Sequence, residues 1–163
     1  MRKIRAWFAE HTIGAIISLF RNVGYWARRG RRRWGNTCNC MELLRAQVTS
    51  IDRAVKIMSE FEWHEEGTDW TPWTITVVHR FMTGAMDDCD GAAVLWVWLF
   101  RCAGHKAYLW HLRGDDGGHA VAVTRDGKYM GTNAELYQFA DPDHWQAELL
   151  EKRWGGKYDF IFR

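Results

Sequence analysis

The chain has 163 residues, 47% of them hydrophobic and 26% charged, and 22 Lys and Arg against 20 Asp and Glu give a formal net charge of +2. These proportions exclude a disordered or collagen-like chain, and the length suits one domain whose core is large enough for burial to stabilise it. Eleven tryptophans point to large buried rings or an aromatic-lined groove, and the two prolines, Pro72 and Pro142, exclude a Pro-rich linker.

The charge is unevenly spread. Residues 1–33 hold nine basic side chains (Arg2, Lys3, Arg5, Arg21, Arg28, Arg29, Arg31, Arg32 and Arg33) and one acid, Glu10, for +8. The other 130 residues carry 13 basic and 19 acidic groups, or −6. Such asymmetry predicts an anionic partner for the N-terminus, or its docking on a protein assembly. Within it, Ile4, Phe8, Ile16, Leu19, Phe20 and Val23 fall mainly on one face of a helix expected over 4–26, with Arg5 and Arg21 elsewhere. A helix of that kind packs on the domain, lies on a membrane surface or inserts into a partner. The arginine run at 28–33 reads as a solvated linker or a phosphate-binding tract. No apolar stretch approaches the roughly 20 residues a membrane span needs. A cleaved signal fits poorly, because Glu10 and His11 follow the basic end.

Cys38, Cys40, Cys89 and Cys102 form no disulfide-scaffold pattern, and Cys38 and Cys40, which flank Asn39, lack the second Cys or His pair a zinc site needs. Leu44, Val48, Ile51, Val55 and Met58 recur at helical spacing and predict a helix over 40–60. A polar, aromatic loop over 62–73 follows. Thr71 and Pro72 then open a short helix to Met82, ended by Gly84. Asp88 is a good N-cap for a helix over 89–103 that is apolar nearly all round, which marks it as buried and central, and Gly104 suits its far end. Strands are expected over 106–113, 119–124 and 128–132, joined by turns at 114–118 and 125–127. A helix from Asp141 to Arg153 and a strand over 157–163 complete the chain. The pattern is α+β, a buried helix on an antiparallel sheet, with a basic helical extension over 1–35 and a domain over 36–163.

The chemistry gathers on this pattern. Cys89 stands at the start of the central helix, where the dipole and free N–H groups favour a thiolate and can hold an oxyanion. Asp87, Asp88 and Asp90 surround it with negative charge, which disfavours the thiolate. His119 begins an apolar strand after a glycine turn, and Asn133 ends the next one, so hairpin pairing brings Asn133 to the distal imidazole nitrogen. With Cys89 beside this hairpin, Cys, His and Asn fit the order nucleophile, base and orienting residue; the hairpin alone does not bring Cys89 there, and the alternative is a satisfied strand-end His and a turn Asn. Asp141 is the rival for the third place. His64, His79, His105 and His111 read as surface or core residues, and Trp96, Trp98, Trp110 and Trp145 as core. Gly114, Gly117 and Gly118 lie between strands rather than before a helix, so no phosphate loop is present.

The stretch from Trp73 to Asn133 resembles the transglutaminase-like branch of the papain-like superfamily, in particular its bacterial and phage cysteine-peptidase-type members. The matching residues are Asp88-Cys89-Asp90, then Gly104-His105-Lys106-Ala107-Tyr108, Gly118-His119-Ala120-Val121, and Asp126-Gly127-Lys128-Tyr129 leading to Asn133. The resemblance implies a papain-like fold, Cys89 as nucleophile, His119 as general base and acid, and Asn133 as orienting residue. Three positions depart from the family: Asp87 replaces a frequent Gly, Asn133 replaces Asp, and Thr83 stands where papain-type enzymes keep an oxyanion-binding Gln. A Trp70 or Trp73 indole is a candidate replacement for that donor, with Asp88 in support. The implied activity is a thiol hydrolase or protease acting on a peptide or peptidoglycan cross-link, without a cofactor or metal, in the cytoplasm or on a virion. The alternative is a non-catalytic docking protein, such as a phage tail component that retains the hydrolase fold.

Overall fold

A computed structural model describes residues 16, 19, 20, 23, 34–64, 73–84, 87–114, 117–140 and 158–162. In chain order these give helices α1 (Trp34–Gln47), α2 (Ile51–Met58), α3 (Thr74–Met82) and α4 (Cys89–Cys102). Strands β1 (Ala107–Gly114), β2 (Gly117–Thr124), β3 (Tyr129–Thr132), β4 (Glu135–Gln138) and β5 (Tyr158–Phe162) follow. The fold is mixed α+β, with five antiparallel strands in the order β4-β3-β2-β1-β5.

The helix expected over 40–60 is two helices. Its apolar stripe is real: Leu44, Val48 and Met58 are buried, and Ile51 and Val55 pack against the core. The break falls at Ser50, whose extended backbone and side chain, accepting from the Arg53 N–H at 3.3 Å, cap α2. The α3 helix begins at Trp73, which caps it without a side-chain bond, and ends where Gly84 adopts φ +67°. Thr71 and Pro72 lie outside the described residues, as do Asp141, Trp145 and the helix expected from Asp141 to Arg153.

Helix α4 holds the centre. From Gly91 to Phe100 only Trp98 escapes full burial. One side of the helix meets β1, β2 and β3, and α2 and α3 also pack against it. The strands meet it with small residues, Ala107, Ala122 and Gly131, leaving room for large rings from the helix. A Cβ on Gly131 would stand 2.3 Å from Cγ of Trp96, so that ring lies directly on backbone. Trp96 also packs against Phe100, with ring centroids 5.1 Å apart. Burying each such side chain contributes about 2 kcal/mol. On the opposite face Trp110, Leu112, Val121, Val123, Met130 and Phe139 form a second cluster.

The hairpins run close to the expected positions. Strands β1 and β2 pair from Ala107↔Thr124 to Gly114↔Gly117, so the glycine run lies largely within the strands rather than forming a five-residue turn. The next turn is built by Asp126, whose Oδ1 accepts from the Thr124 hydroxyl at 2.6 Å and from the Lys128 N–H at 3.2 Å, with Gly127 at φ +68°. A strand absent from the expectations, β4, returns after a two-residue loop whose first member, Asn133, has φ 47°. Asn adopts this left-handed conformation more readily than most residues, which made it a turn signal in the sequence.

Candidate active site

Asp88 caps α4 as expected, its Oδ1 accepting the Asp90 N–H at 3.0 Å. That donor is therefore engaged; the Cys89 N–H, which also acts on its own sulfur, and the Gly91 N–H are the other donors of the first turn. The three neighbouring carboxylates behave differently. Asp87 does not press on the thiol: it is buried, at 1% exposure, and its Oδ2 accepts from Arg80 Nη1 at 2.9 Å. Its Oδ1 accepts the Asp88 N–H at 3.1 Å, and its backbone pairs with Trp63 in a parallel bridge in which the His64 N–H donates to the Asp87 carbonyl at 2.8 Å. The carboxyl fills the space above Gly91, where a Cβ would stand 2.2 Å from Asp87 Cγ. Arg80 was not singled out from the sequence. The seven-residue spacing from a helical arginine to a buried aspartate carries no motif.

Burial, together with the charges of Asp90 and Asp88, pushes the Cys89 thiol up from 9.0 to about 11, against the smaller opposing effect of the Ala120 backbone N–H, which hydrogen-bonds to the sulfur. The resting group is thus a neutral thiol, and the thiolate that the helix dipole favours does not form spontaneously at neutral pH. The Ala120 contact fixes the topology of the site. It sets the sulfur against the strand residue that directly follows His119.

His119 Nε2 lies 2.5 Å from Thr132 Oγ1. The place expected for Asn133 at the distal nitrogen is thus taken by its neighbour. Alternation explains the exchange: Ala122 is opposite Gly131 on the α4 face, so His119 and Thr132 share the other face of the sheet. Asn133 has left the strand; its backbone carbonyl accepts from Trp96 Nε1 at 2.8 Å, and its Oδ1 is buried without a hydrogen-bond partner. Counting in twos along both strands would have picked out Thr132. Trp73 is exposed at the start of α3, and Trp70 lies outside the described residues.

Other candidates separate from this site. His79 is buried in α3, and the His105 ring meets Tyr129 edge-on at 5.5 Å. A cleft of about 440 Å³ lined by Gly104, His105, Lys106, Arg125 and Asp126 lies beyond the other end of α4 from Cys89. Among the described residues no three His, Cys, Asp or Glu side chains form a group able to hold a metal, and no helix is long and apolar enough to cross a membrane. Compared with family models, curated proteins and solved structures, the chain matches none.

Proposed function

We propose that the chain is a cysteine hydrolase of amide bonds, papain-like in architecture, acting on a peptide or a peptidoglycan cross-link. The observation that supports it is the junction of α4 with β2. A sulfur at a helix N-terminus is hydrogen-bonded by the Ala120 N–H, one residue from an imidazole whose distal nitrogen is held by Thr132. With Nε2 engaged, Nδ1 is the nitrogen that takes the thiol proton.

On this reading His119 acts as general base on a neutral thiol, raised to about 11, rather than as half of a resting ion pair. As the proton moves to His119, the Cys89 sulfur forms a bond to the substrate carbonyl carbon, and the oxyanion takes a first-turn N–H. The C–N bond then breaks, His119 returns the proton to the departing amine, and a thioester remains. Water adds with His119 accepting its proton, the C–S bond breaks, and the thiol is restored. An amine in place of water would make the same site a transamidase.

The acyl-enzyme is the species to test. Incubation of the full chain with a small activated acyl ester should add one acyl mass at Cys89, with none in Cys89→Ala or His119→Ala. Thr132→Val should slow the reaction about tenfold through loss of one orienting hydrogen bond. Equal labelling of wild type and Cys89→Ala would sink this reading. It would leave the second one, which the raised thiol favours: an inert cysteine in a docking protein, such as a phage-particle component that keeps the fold.

A further inference from the structure

The hydrolase reading makes no use of the N-terminal segment. Its described residues Ile16, Leu19, Phe20 and Val23 are helical and 47%, 48%, 71% and 51% exposed. Spacings of three, one and three residues place them on a single helical face, a stripe about 100° wide. The sequence around the stripe has one sign of charge: no Asp or Glu occurs between Glu10 and Glu42, while Arg21 and the five arginines of 28–33 lie in that interval. Tyr25 and Trp26, the residue types enriched at lipid headgroups, separate stripe from arginine run.

We propose that residues 1–33 hold this chain on the surface of an anionic phospholipid bilayer. Ile16, Leu19, Phe20 and Val23 insert at the boundary between headgroups and acyl chains, and the arginines engage lipid phosphates. A partner must offer apolar depth and dense negative charge side by side, and a bilayer surface does both. The acidic remainder of the chain, at −6, answers the charge but leaves the stripe in water. A nucleic acid answers the arginines and likewise leaves four large apolar side chains exposed. The apolar stretch of this segment, Ile13 to Phe20 with Gly14 and Ser18 inside it, falls well short of the roughly 20 residues a span needs, so the proposed helix lies along the surface.

The test is flotation of the full chain with vesicles of phosphatidylcholine alone and with an equimolar mixture of phosphatidylcholine and phosphatidylglycerol. Binding is expected to the mixture only, falling as salt is raised. Leu19→Ser/Phe20→Ser should lose it, and Arg28→Gln/Arg29→Gln should weaken it about thirtyfold. Cys89→Ala should bind like wild type, which separates this proposal from the hydrolase reading. No binding to the anionic mixture overturns it. So does full binding by the serine variant with an unchanged circular-dichroism melt, or release of the vesicles by equimolar duplex DNA, because each makes the arginines sufficient.

Discussion

The body of α4 and its first turn are held by different forces. From Leu95 to Phe100 the helix is fixed by shape, large side chains lying against Ala107, Ala122 and Gly131. At Asp88–Asp90 it is fixed by charge and hydrogen bonds: Arg80 on Asp87, Asp87 on the Asp88 N–H, and Asp88 on the Asp90 N–H. Close packing tolerates little displacement and offers no chemistry. The polar end carries the thiol, and its anchors were assembled from α3 and the segment before α4. A helix that is rigid along its length and polar only where it begins presents its cysteine in one place.

The largest effect should come from the body. In Gly131→Ala the new Cβ would lie 2.3 Å from Trp96, costing about 3 kcal/mol in urea unfolding. Because Trp96 lies away from the first turn, the pH dependence of Cys89 alkylation should be unchanged wherever the variant is folded. A shift in that profile would show that body and first turn are not separable.

Breaking the anchor should cost less and move more. Asp87→Ala leaves Arg80 without its buried acceptor, but Arg80 is 16% exposed and gains water. A loss of about 2 kcal/mol follows, below the usual cost of splitting a fully buried pair. The loosened turn admits water to the sulfur, so the apparent pKa of iodoacetamide alkylation should fall from about 11 toward 9.0. An unchanged profile would mean that the pair does not position the thiol.

The last effect is nil at neutral pH and appears only as pH is raised. Below the ordinary value of 9.0 the Cys89 thiol is protonated both folded and unfolded. Between 9.0 and about 11 the unfolded chain gives up this proton and the folded one retains it, so stability falls as pH rises through that window and then levels. Urea melts of wild type minus Cys89→Ala should show this loss. A flat difference would mean that the folded thiol titrates at its ordinary value.

Much of this was legible in the sequence where local chemistry decides structure. The Asp88 cap, the apolar run after it and the glycine at φ +90° behind it are all signals within one segment, and they set α4 to within a residue. The same holds for the Asp126-Gly127 turn. What escaped depends on contacts between distant segments or on competition within one. Thr49-Ser50 cuts a stripe that hydrophobic spacing alone would continue. Asp87 read as a charge beside the thiol because its partner lies in another helix. The hydrogen-bond partner of His119 Nε2 is Thr132, one residue before the one expected, and along a strand one residue is the opposite face.

The hydrogen bond from the Trp96 indole to the Asn133 carbonyl has a mechanical consequence. It works as a strut between the middle of α4 and the loop that directly follows Thr132. Thr132, beside that loop, is the residue whose hydroxyl meets the ring of His119. The core tryptophan is thus linked, through this loop and Thr132, to the imidazole on the other face of the sheet.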